Sequence, residues 1–384
     1  MLEIITASGS GLSRQALKQR ADKQQITRLL HGTYVDTREY EALNHAEKYR
    51  VQARAFLQMH KNLSAWGITA AALKGAPILL GADMHFSGAK RHHARSRQKG
   101  CIFHETLPVV PAVGSPVARM LFECTATSPL PDALLAANHL LRCLSSEADG
   151  GLFASRDIDE KSAISLLWEP LDKKRARVKP ICLSDVSGLN TAKPDFLERY
   201  TAARNTMFAS PDAELAWLDF ALLCAAYGTK RGVRKALSAG LLFSDQTESP
   251  AESLLVARCA ELGFAIPFLQ VNIIDPKDSR HLGRVDGLWP SPSVLRELYQ
   301  RDDRLGRRLY CKQPGDNDSV IIEFDGRVKY QDDYAGALEK ERLRQNAISN
   351  LGFRFIRIGW DDLMRPEHLR SLFLAARVPR AVRS

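Results

Sequence analysis

The stretch VIIEFDGRVKY, residues 320–330, decides how this chain is read, together with GRVDGLWP at residues 283–290. Both have the short, apolar, β-branched character of strands. Side chains alternate sides along a strand, so Glu323 and Asp325 are expected on one face and Phe324 on the other. Asp286 follows Val285 in the second run. If the two strands pair, Asp286, Glu323 and Asp325 gather beside Lys329. Carboxylates brought together repel unless a cation holds them, and an all-oxygen set suits magnesium or manganese. Such a cation with a lysine beside it is a device for activating water against a phosphodiester. The same spacing also describes a hairpin with a charged, solvated face and a DG dipeptide as its turn.

Helix and strand signals surround these two runs. SPAESLLVARCAELG, residues 249–263, opens with Ser249 as N-cap, Pro250 at the first helical position and Glu252 where a capping box needs it. Gly263 stops that helix. AIPFLQVNIID (265–275) reads as a strand, YAGALEKERLRQNAISNLG (334–352) as a helix ending at its glycine, FRFIRIGW (353–360) as a further strand, and DDLMRPEHLRSLFLAARV (361–378) as a final helix. Helix, antiparallel-like strands, helix, strand and helix make a compact α/β module. Glu252 has two readings, a capping side chain or an acid at the site. Glu341, Arg342, Arg344 and Gln345 lie on a helix that would run beside the acids. VLRELYQRDDRLGRRLYCKQ, residues 294–313, separates the two acid-bearing strands and reads as a basic helix.

The net charge of +10 is concentrated at one end. Residues 1–100 hold 16 Lys and Arg against 7 Asp and Glu, while the other 284 residues are nearly balanced. A basic end favours a polyanion, most simply nucleic acid. GLSRQALKQRADK (11–23) has helical spacing with Ser13 as its cap, and QITRLL followed by HGTYVD reads as a ribbon turning at Gly32. Helix then ribbon is the order of a winged helix, in which Arg14, Gln15, Lys18 and Gln19 would face a major groove and Arg28 and His31 would lie near the wing. An amphipathic helix packed on its neighbours fits the same spacing. REYEALNHAEKYRVQARAFLQMHKNL (38–63) reads as one long helix, and GITAAALKGAPIL (67–79) holds a buried one that ends near Gly75. KRHHARSRQKG (90–100) brings Lys90, Arg91, Arg95 and Arg97 into a loop able to straddle phosphates. VARMLFECTATSPLPDALLAANHLLRCL (117–144) is helical with a break near Pro129, and ELAWLDFALLCAAYGTKRGVRKAL (214–237) with a break near Gly228.

The seven cysteines are scattered without a C-x-x-C pair, which points away from a zinc site or a disulfide framework and toward a reducing cytoplasm. No signal-peptide pattern and no apolar run of about 18 residues is present, so no membrane association is expected. Aromatic residues do not form a stacking platform for single strands, which disfavours an RNA nuclease.

From residue 249 to its end the chain resembles the Vsr-like (very-short-patch-repair-like) branch of the PD-(D/E)XK nucleases. SPAESLL, PFLQVNI, RVDGLWP, VIIEFDGRVKY, EKERLRQNAISNLGFRFIRI and GWDDL fall in the family's order. The resemblance implies a restriction-endonuclease-like α/β sandwich with Asp286 and Glu323 as the paired acids and Glu252 as the first-helix acid. Asp325 stands where the pattern has lysine, which makes Lys329 a displaced lysine. In GLSRQALKQRADKQQITRLLHGTYV, GITAAALKGAPI and VGSPVARMLFECTATSPLPDALLAANHLLR the front half is similar to AbiEi-type antitoxins and regulators, which pair a winged helix with a second α/β domain in toxin–antitoxin and phage-defence settings. The expected organisation is α/β overall: a winged-helix-like domain over 1–37, an AbiEi-like α/β domain over 38–150, a helical linker region over 151–245 and a nuclease-fold domain over 246–384. The expected activity is magnesium- or manganese-dependent cleavage of DNA by Asp286, Glu323, Asp325, Lys329 and Glu252. The alternative is a DNA-binding antitoxin-like regulator, with a toxin or defence-system partner, whose nuclease fold is inactive.

Overall fold

The computed structural model describes residues 2–6, 9–88, 100–107, 115–146, 208, 210–228, 230–291, 309–311, 318–325 and 334–381. The protein is of the α/β class and divides into two compact units. The first comprises Met1–Leu140 with Ala216–Leu237, and the second Leu141–Leu215 with Ser238–Ser384. Residues 216–237, read from sequence as part of a linker, thus belong with the first unit. Among the described residues no helix is long and apolar enough to cross a membrane.

The first unit opens with β1 (Ile5–Thr6), α1 (Arg14–Asp22), β2 (Ile26–Leu30) and β3 (Thr33–Asp36). Ser13 caps α1 by accepting the Ala16 N–H at 3.1 Å. The ribbon forms as expected, with His31 and Gly32 between antiparallel β2 and β3 and Gly32 at φ 73°. A feature the sequence did not announce is β1, which adds antiparallel to the other side of β3. The long helix expected over 38–63 is two helices, α2 (Thr37–Ala42) and α3 (His45–Met59). Asn44 divides them. Its side chain accepts the Glu47 N–H at 3.0 Å and its own N–H is bonded by the Glu47 carboxylate at 2.9 Å, so a capping box outcompetes helix continuation there.

A second sheet has the order β4 (Ser64–Ala65), β5 (Met84–Gly88), β6 (Cys101–Glu105), with β5 and β6 parallel. It is accompanied by α4 (Gly67–Leu73), α5 (Pro116–Thr127) and α6 (Leu130–Ser146). Phe56, Ile68, Phe86 and Leu121 are fully buried in this unit, and the Phe56 and Phe86 rings stack at 4.4 Å. Gly67 begins α4 at φ 50°, where a Cβ would come within 3.1 Å of the Glu123 carbonyl oxygen. Helices α7 (Pro211–Tyr227) and α8 (Val233–Gly240) follow, separated at Gly228 as the sequence predicts.

The second unit carries α9 (Pro250–Leu262), β7 (Phe268–Ile274), β8 (His281–Trp289), β9 (Leu309–Cys311), β10 (Val320–Phe324), α10 (Tyr334–Ser349), β11 (Arg354–Ile358), α11 (Trp360–Leu363) and α12 (Pro366–Ala375). Its five-stranded sheet has the order β11-β10-β8-β7-β9. Strands β7, β8 and β10 pair antiparallel, and the crossover through α10 returns β11 parallel to β10. Val320, Ile321 and Ile322 are buried in succession, so β10 is covered on both faces. Phe268, Val271, Val285, Leu288, Ile321 and Ile348 share one core cluster. Trp289 packs its ring on Phe373 of α12 and donates its indole N–H to the Ala265 carbonyl at 2.8 Å.

Gly287 lies inside β8, within the strand expected over residues 283–290, and a Cβ there would meet Ile322 Cγ2 at 2.7 Å. Two sequence expectations change here. The final helix is broken at Pro366, which starts α12 and cannot donate to a preceding turn. Residues 309–311, expected as the end of a basic helix, instead form β9 parallel to β7. The rest of that segment, including Arg301, Arg304, Arg307 and Arg308, lies outside the described residues.

Candidate active site

Asp286 sits in β8 at the point where its ladder with β10 stops. The pairs Val320↔Trp289, Ile321↔Leu288 and Ile322↔Gly287 are made, and one step further Glu323 comes opposite Asp286. At that point the Phe324 N–H is bonded by Asp286 Oδ2 at 2.9 Å. A side-chain carboxylate thus takes the place of a strand carbonyl, and the two strands part beyond it.

On the other side of β8, the register with β7 sets Gln270 opposite Asp286, between the pairs Leu269↔Gly287 and Val271↔Val285. Gln270 has φ 54°, a left-handed conformation that costs a residue with a Cβ roughly 1–2 kcal/mol. Strain of this kind clusters at functional sites. The Gln270 side chain hydrogen-bonds Glu252.

Glu252 is buried at the start of α9, where its capping reading holds. It completes the cap: Ser249 Oγ accepts the Glu252 N–H at 3.3 Å and donates to Glu252 Oε1 at 2.7 Å, while the Glu248 N–H donates to Oε2 at 2.9 Å. It also lies within electrostatic reach of Asp286. Burial pushes its carboxyl above the usual range; the bonds from Glu248, Ser249 and Gln270 oppose this, and the Asp286 charge adds to it.

Glu323 is held by a cation from α10. Arg344 Nη2 lies 3.0 Å from both Glu323 Oε1 and Oε2, and Nη1 donates to the Arg284 carbonyl at 3.0 Å. The Arg344 stem crosses β8 over Gly283, where a Cβ would sit 2.6 Å from its Cδ. Arg284 itself is paired through both terminal nitrogens with Glu248, at 2.7 and 2.8 Å, in an exposed position.

The expected convergence of three acids is therefore corrected. Among the described residues no group of three His, Cys, Asp or Glu side chains is placed to hold a metal ion. Strand β10 ends at Phe324, so Asp325 escapes the alternation that was to align it with Glu323. It is exposed, and its N–H donates to the Ile358 carbonyl at 3.0 Å. Asp286 and Glu323 are brought together; Lys329 lies outside the described residues. A magnesium ion commonly takes one or two protein carboxylates and completes its shell with water and phosphate. The donor set of Asp286 and Glu323 fits that chemistry, provided the Arg344 guanidinium yields its place on Glu323.

Of the residues expected to meet DNA, Gln15 and Lys18 are exposed along α1 and Arg28 is exposed on β2. Arg28 is folded over the hairpin, with Nε donating to the Leu30 carbonyl at 3.3 Å and Nη2 3.0 Å from His31 Nδ1. The Arg14 side chain and Lys90, Arg91, Arg95 and Arg97 lie outside the described residues. Sequence reasoning missed Gln270, for which no local signal exists, and the ion pair of Arg344, although that residue had been placed on the helix beside the acids. Compared with protein-family models, with curated proteins and with solved structures, the chain gives no match.

Proposed function

We propose that the protein is a DNA endonuclease, dependent on magnesium or manganese, with its acids at the end of the β8–β10 ladder. The observation that carries this reading is the pairing of Asp286 and Glu323 where Asp286 replaces a strand carbonyl, with Glu252 and the strained Gln270 behind it. Support also comes from the order of elements: a helix, the antiparallel strands β7 and β8, the short β9 parallel to β7, β10 antiparallel to β8, a crossover helix and β11 parallel to β10, an α/β arrangement compatible with the nuclease resemblance. Exposed Gln15, Lys18 and Arg28 in the first unit would contact the DNA backbone and groove.

Hydrolysis of a phosphodiester forms a bond from a water oxygen to phosphorus and breaks the bond to one sugar oxygen. A proton leaves the attacking water and one reaches the departing oxygen. Asp286 and Glu323 would hold the metal, which supplies Lewis-acid stabilisation of phosphoryl charge when bound. Glu252 fixes Gln270 and so the β7 backbone opposite Asp286. Lys329 would orient the attacking water, and Asp325 would sit at the exposed mouth of the site. The test is incubation of supercoiled plasmid with magnesium, manganese or EDTA. Nicking or linearisation that needs the metal and disappears in Asp286→Ala and Glu323→Ala is the expected result.

A second reading is a cytoplasmic antitoxin-like regulator that binds DNA, and a toxin or defence-system partner, without cutting. The observation favouring it is that Arg344 occupies both Glu323 oxygens. Retained DNA binding without cleavage under any metal would select it.

A further inference from the structure

Glu323 and Arg344 form more than a surface ion pair. Their side chains are only 12% and 21% exposed, and the guanidinium is fixed at three acceptor oxygens: both of Glu323 and the carbonyl of Arg284. The approach is built into β8. Position 283 is glycine, and the Arg344 Cγ and Cδ lie 2.8 and 2.6 Å from where a Cβ would stand, so any larger residue would push the stem off the strand. A carboxylate whose two oxygens both accept from one guanidinium has its charge already compensated. A divalent cation on the same carboxylate would stand a few ångströms from a second positive charge in a partly desolvated site, where repulsion is large. The two cations are thus alternatives for one acid.

Resting on the acid-site reading above, we propose that Arg344 is the resident cation of Glu323: it closes the acid site in the free protein and gives way when a divalent cation binds. The same exchange gives the released guanidinium a destination. Its planar fork matches a phosphate oxygen pair, and a phosphodiester brought to Asp286 and Glu323 would lie within the reach of a side chain that already spans β8. Arg344 is in this sense a positioning residue that couples cation entry to phosphate binding. Coupling of this kind is reciprocal, so removing the guanidinium must raise the affinity for the cation by the factor with which the cation now loosens the guanidinium.

The experiment is manganese binding to the full chain without DNA, followed by the electron paramagnetic resonance signal of free manganese. Wild type is compared with Arg344→Met, Arg344→Gln and Glu323→Gln. Arg344→Met removes the charge and keeps the stem. Arg344→Gln keeps a donor for Glu323 and serves if the methionine variant does not fold, as judged by circular dichroism. The expected result is tighter manganese binding in the Arg344 variants, by ~5-fold or more, with binding lost in Glu323→Gln. Binding in Arg344→Met with none in wild type supports the proposal equally. Unchanged or weaker binding in the Arg344 variants, with loss in Glu323→Gln, overturns the role of Arg344 and leaves the acid site standing. Absence of manganese binding in every protein, including Arg344→Met, overturns the acid-site reading itself and the exchange with it.

Discussion

At the residue scale, two kinds of burial act on titratable groups, and they differ in consequence. Arg344 and Glu323 neutralise each other. His85 in β5 has no such partner among the described residues: it is buried, its Nδ1 lies 2.9 Å from His104 Nε2, and the His104 ring stacks between it and Trp66. Burial, with the charge of Lys235 adding to it, lowers the His85 pKa to about 4. The unfolded chain, with an ordinary histidine pKa near 6.5, binds more protons than the folded one between those values. Folding stability therefore falls as pH drops through about 6.5 and levels off near 4, by up to about 3 kcal/mol from this residue. Urea denaturation at pH 7 and pH 4.5 should show that loss in wild type and a smaller one in His85→Gln; equal losses in both would assign the acid sensitivity elsewhere.

At the scale of elements, capping decides where helices start. Asn44 cuts a 26-residue apolar-periodic stretch into α2 and α3, and Ser249 starts α9 beside the acid site. Ser249 does two jobs, since its hydroxyl receives the Glu252 N–H and donates to the Glu252 carboxylate. Ser249→Ala should cost about 1–2 kcal/mol, from the lost cap and from a buried carboxylate left one donor short. Ser249→Thr, which keeps the hydroxyl, should recover most of it in the same urea titration. Strand β8 shows the complementary principle. Its glycines are packing residues: Gly287 admits Ile322 and Gly283 admits the Arg344 stem. A dipeptide that signals a turn in isolation is used here to bring neighbours close.

At the scale of the whole molecule, the charge asymmetry sets the expected partner. Residues 1–100 carry nearly all of the net positive charge. If α1 and the β2–β3 ribbon meet phosphates, Lys18→Gln and Arg28→Gln should each weaken DNA binding about equally across sequences. Each should also lower the slope of log affinity against log salt by ~0.9. Fluorescence anisotropy with a labelled duplex between 50 and 200 mM salt reads both effects, and slopes unchanged from wild type would remove these residues from the interface.

Most of what is local in this protein was legible in its residues. Ser13, Ser249, Pro250, Gly263, Gly228 and Gly352 mark helix ends by backbone chemistry that needs no distant partner, and the alternation around Glu323 and Asp286 marks two strands. What tertiary structure alone decided is non-local. β9 exists because β7 offers it a parallel edge, and Gln270 adopts a left-handed conformation in the middle of β7, opposite Asp286. The guanidinium on Glu323 comes from a residue 21 positions away on the crossover helix. Asp325 and Glu323 are two residues apart and share a face in an endless strand, but β10 ends between them, and the end of a strand is set by its neighbours. Spacing determines which side chains are able to meet; packing determines which of them do.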